Sequence, residues 1–317
     1  SNVIYDPESE LLLLGQKIIE RKWNDMSAIK KFSAQLRVLS IIHELLELDM
    51  HGSKREIFYT DVGLFEDQQR GSDPLIEDSA VMLGTYRKNL HVTANDRGLV
   101  VGRLKYRDNG DLIDCTKQGS SGKNVNPMQD HITDLESDAE FVLVIEKQAA
   151  FLRLAEDKFY EKYPCVILTG SGQPNVGTRT FLRRISHELS LPVFAVMDSD
   201  PYGLDILRVY GLGSKSLSYE SYELATPDIQ WLGVRPTDLD KYSLPKNCRL
   251  PMTKMDIHRA KNMLDEDFVK ARPEWIKELN LMIETKQKAE IQALASRGIK
   301  FFTEEYLPSK IETGDWV

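Results

Sequence analysis

Two five-residue apolar runs, Phe141–Ile145 and Val193–Met197, each stop on carboxylates: Glu146 after the first, Asp198 and Asp200 after the second. A third run, Cys165–Leu168, lies between them, and helical patterns cover Lys147–Tyr160, Thr178–Leu189 and Tyr202–Val209. Short apolar strands alternating with helices predict a mostly parallel sheet with helices on both faces. In such a sheet ligands collect at the carboxyl ends of the strands. Glu146, Asp198 and Asp200 therefore share one edge of the sheet. Hard oxygen ligands clustered this way suit Mg²⁺, which keeps waters free for phosphate oxygens. Each piece alone is weak, because a bare Asp-x-Asp is usually a solvated turn and a Glu after a strand is often a helix cap. At two strand ends, with the turn Thr169-Gly-Ser-Gly172 between them, they point together to a metal site.

The region before this sheet reads differently. Residues Ser27 to Met50 carry Ile29, Phe32, Leu36, Leu39, Ile42, Leu45 and Leu46 at helical spacing, so a buried amphipathic helix is predicted there. Ser53 and Glu56 form a capping-box pattern that starts a second helix near Lys54. A third helix is predicted over Pro74 to Lys88. Two extended stretches follow, Leu99–Tyr106 and Leu112–Cys115, joined at the hairpin signal Asp108-Asn109-Gly110. Three helices and then a β-ribbon is the order of a winged helix-turn-helix, in which one helix enters a DNA groove. Arg97, Arg103, Lys105 and Arg107 crowd the ribbon, and Arg87 and Lys88 end the third helix. Taken alone these would be ordinary solvated charges. Gln118 to Asp130 reads as a linker, so the predicted units are residues 1–124 and 125–317.

Tyr59 falls on the second helix. A lone Tyr there is far more often core than catalytic, but Arg55 lies four residues earlier on the same helical face. A free phenol titrates near pH ~10, so a tyrosine nucleophile needs such help near neutrality.

Composition excludes little here. The 317 residues are 41% hydrophobic and 28% charged, as in a soluble globular chain, and no apolar run is long enough to cross a bilayer. The net charge of −8 does not advertise a nucleic-acid binder, but binding needs only a local basic surface. Cys115, Cys165 and Cys248 form no CxxC pair, which argues against zinc or a disulfide scaffold and for a reducing compartment. No secretory signal leads the chain. It opens on Ser1-Asn2 rather than Met, as a trimmed piece would, so a lost targeting segment is compatible with the sequence.

Several segments together resemble one family. Lys54-Arg-Glu-Ile-Phe-Tyr-Thr60, Val144-Ile-Glu-Lys147 and Asp198-Ser-Asp-Pro-Tyr-Gly203 look like signature motifs of the A subunit of DNA topoisomerase VI and its meiotic double-strand-break relatives. Ala94-Asn-Asp-Arg-Gly-Leu-Val-Val-Gly-Arg103, Thr226-Pro-Asp-Ile-Gln-Trp-Leu-Gly233 and Lys286-Gln-Lys-Ala-Glu-Ile-Gln-Ala-Leu294 extend the likeness from about Lys31 to Val317. The resemblance implies a mixed α/β chain, with a CAP-like winged-helix domain followed by a Toprim domain. By position, Tyr59 would be the nucleophile and Arg55 its helper, while Glu146, Asp198 and Asp200 would hold Mg²⁺. Arg87, Lys88, Arg97, Arg103, Lys105 and Arg179 would face DNA.

The resemblance also implies partners. They are double-stranded DNA, a second copy of the chain whose metal site meets this tyrosine, and a GHKL-type ATPase B subunit. No P-loop signature occurs in the chain, so ATP use must come from that partner. The dimer could form only on DNA or with the ATPase partner. A eukaryotic source would place the protein in the nucleus, any other in the cytoplasm. One departure is visible: where the family usually reads Gly-Lys-Gly-x-Pro-Asp, this chain has Gly170-Ser-Gly-Gln-Pro-Asn175. If the missing lysine contacts DNA, this chain is expected either to bind more weakly or to lean on Arg179, Arg183 and Arg184 instead.

Within the family the wording of Asp108–Lys117 and Thr237–Leu250 is closer to the topoisomerase branch of plants than to the break-makers. Two other classes compete. A Toprim metal nuclease or primase would cut without the tyrosine, and a silent scaffold would bind DNA without covalent attachment.

Overall fold

The computed structural model describes residues 2–18, 20, 28–66, 68–93 and 97–317. The expected helix start at Ser27 and the first three residues of the Ala94–Arg103 segment lie outside them.

A hairpin of β1 (Val3–Asp6) and β2 (Leu11–Leu14) opens the chain. Helix α1 (Ile29–Glu47) follows, and it buries Ala34, Val38, Ile41 and Ile42. The buried stripe is therefore rotated from the predicted one: Ile29, Leu36 and Leu46 are exposed. Gln35 explains the rotation, because its amide donates to Leu75 O and to Ser79 Oγ across the facing helix, which fixes the side that α1 presents. A short strand β3 (Gly52–Ser53) leads into α2 (Lys54–Thr60). The predicted capping box is present: Glu56 N donates to Ser53 Oγ and Ser53 N to the Glu56 carboxylate.

Helix α3 spans Gln69–Met82 and so begins five residues before the predicted start, with Pro74 inside it. Burial of Ser72, Leu75 and Ile76 outweighs the hydrogen bond that the proline cannot donate. The helix also ends early, with Gly84 in the left-handed region, and Arg87–Leu90 forms a separate 3₁₀ turn before β4 (Val92–Thr93), the partner of β3.

The ribbon differs from its prediction in one respect. The stretch Leu99–Tyr106 breaks at Gly102 into β5 (Leu99–Gly102) and β6 (Lys105–Asp108), which belong to different sheets. Gly102 has a φ of 113°, and a Cβ there would lie 2.4 Å from Cys165 O. The hairpin is as expected: β6 pairs with β7 (Asp111–Asp114) across Asn109 and Gly110, both left-handed, the geometry of a type I′ turn. The expected linker is partly ordered into the sheets. It contains β8 (Lys123–Asn124), paired with β5, and buries Val125 and Gln129. Strand β9 (Ile132–Glu136) completes a small sheet with β6 and β7.

The main sheet follows the alternation predicted from the apolar runs. Its elements are β10 (Phe141–Ile145), α4 (Gln148–Glu156), α5 (Phe159–Lys162), β11 (Cys165–Thr169), α6 (Val176–Glu188), β12 (Val193–Val196), α7 (Pro201–Leu212) and β13 (Gln230–Gly233). The strand order is β13-β12-β10-β11-β5-β8, with the first four parallel, β5 antiparallel to β11, and β8 antiparallel to β5 at the edge. Every residue of β10, β11 and β12 is buried, because apolar layers cover both faces. Further helices, including Lys254–Leu264, Pro273–Thr285 and Leu307–Thr313, pack on these layers. Among the described residues, no helix is long and apolar enough to cross a membrane.

Candidate functional site

The parallel register sets the first pair of carboxylates side by side. Ile145 pairs with both Thr169 and Val196, so β10 and its neighbours end level. Glu146 N then donates to Val196 O, which carries the strand pairing one residue further. The Glu146 Oε2 atom accepts from Asp198 N at 2.7 Å. Glu146 is 8% exposed and Asp198 6%. Burial, with the Asp198 charge beside it, pushes the Glu146 carboxyl up to about 7. Burial also raises Asp198, although hydrogen bonds from Lys147 and from Ile291 N pull the other way.

Asp200 sits differently. Its Oδ1 accepts from Tyr202 N and Gly203 N, so it is the N-cap of α7, with Pro201 in the first helical turn. The structure thus joins Glu146 and Asp198 directly and holds Asp200 next to them as a cap. Among the described residues, no three His, Cys, Asp or Glu side chains converge closely enough to enclose a metal ion as they stand. The donor chemistry nevertheless suits a hard cation: Glu146 and Asp198 are paired where burial makes negative charge costly, Asp200 stands beside them, and a divalent ion would relieve that cost.

Three neighbours complete this edge. Lys147 Nζ lies 2.8 Å from Asp198 Oδ2 and 2.8 Å from Glu290 Oε2. Ile291 N donates to Asp198 Oδ1 at 2.9 Å. A Cβ on Gly203 would lie 2.4 Å from Asp198 O, so only glycine allows α7 this close. Sequence reasoning gave Lys147, Glu290 and Gly203 no role, although all three stand inside the segments that carried the family resemblance.

Tyr59 projects from α2 with 60% of its surface exposed, while its neighbours Ile57 and Phe58 anchor the helix in the core. The Arg55 guanidinium stands 5.7 Å from the centre of the Tyr59 ring. The two predicted partners are therefore together on one exposed helical face.

The predicted DNA-facing cations fall into three groups. Arg97 and Lys105 are exposed. Lys88 is paired with Glu223 at 2.7 Å, and Arg103 is clamped by Tyr160 O, Glu161 O and Asp138. Arg87 and Arg179 are buried, Arg179 to 2% exposure. Arg87, Arg97 and Arg179 nevertheless line a cleft of about 360 Å³ that Lys54 and Arg55 of α2 and the Gln173–Val176 turn also border. The substituted turn is ordered by its own side chains. Asn175 caps α6 by accepting from Thr178 N, and Ser171 takes a left-handed conformation beside Arg97, bonding its carbonyl.

A sheet of this order with carboxylates at the strand ends defines an α/β class that hosts many chemistries, and comparison with known proteins narrows it. Residues 141–311 match the family model for the Toprim domain of the topoisomerase 6 A-subunit/Spo11 proteins, and residues 30–92 match "Type IIB DNA topoisomerase". The chain is 53% identical over 317 residues to the A subunit of DNA topoisomerase 6 from Arabidopsis thaliana, covering all of this chain and 74% of that one. It is 38% identical over 340 residues to the A subunit of type 2 DNA topoisomerase 6 from Aeropyrum pernix (100% and 87% covered). Meiotic recombination protein SPO11 of Mus musculus is 36% identical over 322 residues (100% and 80% covered). The chain belongs to the topoisomerase 6 A-subunit/Spo11 family.

Proposed function

We propose that this chain is the DNA-cleaving A subunit of a type IIB topoisomerase, breaking both strands by tyrosyl transesterification. The observation that carries the reading is Tyr59, held exposed on a capped helix with Arg55 over its ring. In each strand the Tyr59 oxygen attacks a backbone phosphorus, the bond from phosphorus to the 3′ oxygen breaks, and a 5′-phosphotyrosyl link forms. The phenolic proton leaves and the departing 3′ oxygen takes one up, so the exchange is balanced and reversible. Arg55 steadies the phenolate or the phosphate through its fixed positive charge.

Glu146, Asp198 and Asp200 are the residues that would hold Mg²⁺, with Asp200 keeping its cap through Oδ1. When bound, Mg²⁺ supplies positive charge against the phosphate oxygens and the departing 3′ oxygen. Arg97 and Lys105 contact phosphates, while the buried Arg87 and Arg179 lend positive charge from beneath the cleft. Lys88 and Arg103 could join them only by releasing Glu223 and Asp138. The labour divides near Asn124, with DNA docking and the nucleophile before it and metal binding after it. This is a division of task rather than of hydrogen bonding, because β5 and β8 lie in the metal-binding sheet. Two copies assemble so that the tyrosine of one meets the metal site of the other, and a GHKL-type ATPase B subunit drives strand passage. A eukaryotic source would place this work in the nucleus.

The test uses supercoiled plasmid with the full chain, a B-type partner and ATP. Linear or relaxed product in Mg²⁺, lost in chelator and in Glu146→Gln, supports the reading. Cutting that persists in chelator overturns it. The likeness to SPO11 of Mus musculus supports a second role as a break-maker, and linear DNA without relaxation is the result that would favour it.

A further inference from the structure

The segment Lys286–Leu294, which has no task in the cleavage chemistry, is strapped across the strand-end carboxylates. Ser199 N donates to Ala289 O and Ala289 N to Ser199 O, at 2.8 and 3.1 Å, and Ile291 N donates to Asp198 Oδ1. Between these anchors Glu290 meets Lys147, whose ammonium bridges it to Asp198 Oδ2. Both oxygens of Asp198 are thus engaged, one by a backbone N–H and one by a full positive charge. That second oxygen is the one the backbone leaves to a cation. The two carboxylates that share the ammonium are unequal: the Glu290 side chain is 53% exposed and that of Asp198 only 9%.

We propose that Lys147 is a resident competitor for the metal, occupying Asp198 when no divalent cation is bound, and that Glu290 receives its ammonium when one binds. The inference rests on Glu146, Asp198 and Asp200 being the Mg²⁺ ligands. An ammonium and a divalent ion repel strongly at contact distance inside a protein, so both cannot sit on Asp198 Oδ2. Lysine suits the task because its charge is compact and its four-carbon stem flexible, so a small swing keeps one ion pair while giving up the other. Glu290 is then a positioning residue for Lys147 rather than a metal ligand. The ammonium also keeps the buried carboxylates from facing one another uncompensated before metal arrives.

Calorimetric titration of the purified full chain with Mg²⁺, without DNA, tests this in wild type, Lys147→Met, Glu290→Gln and the double variant. Lys147→Met is predicted to bind Mg²⁺ roughly tenfold more tightly, because the competing charge is gone. Glu290→Gln is predicted to bind several-fold more weakly, because the displaced ammonium loses its second partner. The double variant should match Lys147→Met within about twofold, because Glu290 has no task without the ammonium. Weaker binding by Lys147→Met would overturn the proposal and make Lys147 a support for Asp198. An equal loss on Glu290→Gln in both backgrounds would also overturn it, leaving only a general charge effect. Should Lys147→Met fail a folding check by thermal melt, Glu290→Gln still decides, since unchanged or tighter binding there contradicts the transfer. If neither wild type nor Lys147→Met takes up Mg²⁺, the magnesium reading itself falls. Uptake by Lys147→Met alone would support the competitor directly.

Discussion

Asp198, Glu146 and Gly203 meet in a space with no room for another carbon: a Cβ on Gly203 would lie 2.4 Å from Asp198 O and 3.1 Å from Glu146 Oε2. Gly203→Ala must therefore push α7 away from the strand ends or shift the Glu146 carboxylate. The predicted cost is about 1–3 kcal/mol of stability, the range for overpacking a buried site, together with weaker Mg²⁺ uptake. Thermal unfolding and a metal titration check the two effects, and an alanine variant with unchanged melting and binding would show the crowding to be unimportant. At this scale the placement of the carboxylates was legible in the sequence because Glu146 directly follows β10 and Asp198 and Asp200 lie just past β12. Lys147 and Glu290 were not, because they are brought together only by the strap of the C-terminal segment on Ser199. The departures at Ser171 and Asn175 are also clarified. Asparagine caps a helix as aspartate does, so Asn175 keeps α6 in place, while no cation of the turn itself replaces the family lysine.

Among the elements, α2 and the hairpin between β6 and β7 were legible because their signals are local: a capping box over four residues and Asn-Gly in a two-residue turn. The place of β5 was not, because its partner β11 lies more than sixty positions along the chain and its own residues read equally well as half of a ribbon. The C-terminal helices were equally hidden, and a charge cluster ties them down. Asp315 accepts from Lys241 at 2.7 Å and from Arg235, and Lys310 Nζ stands 3.3 Å away. Lys310 also lies 2.8 Å from Asp238, both fully buried, in a contact that is Coulombic rather than a well-angled hydrogen bond. Burial alone would raise the Asp315 carboxyl, but the hydrogen bonds and charges of Lys241, Lys310 and Arg235 hold it well below its ordinary 3.8. A depressed carboxylate stabilises the fold above its unfolded-state value and loses that contribution as pH falls below it. Asp315→Asn is therefore predicted to cost roughly 1–3 kcal/mol near neutrality, the worth of charge-assisted hydrogen bonds, with the deficit shrinking below pH ~4. Denaturant melts across pH would show this, and a deficit that did not change with pH would remove Asp315 from the cluster's electrostatics.

For the whole molecule, a net charge of −8 coexists with a cleft bordered by Lys54, Arg55, Arg87, Arg97 and Arg179, so positive charge is gathered on one face. That cleft joins the tyrosine helix to the turn after β11, which brings elements from both sides of the proposed division of labour to one surface. The central claim is that Tyr59 becomes covalently joined to a DNA 5′ end. The direct measurement incubates the full chain, or its Tyr59→Phe variant, with supercoiled DNA, Mg²⁺, ATP and a B-type ATPase partner, quenches in denaturant, and isolates protein-bound DNA ends. The account predicts 5′-linked adducts with wild type and none with the variant. Cleavage that survives Tyr59→Phe would contradict it and move the chemistry to the carboxylates of a metal nuclease.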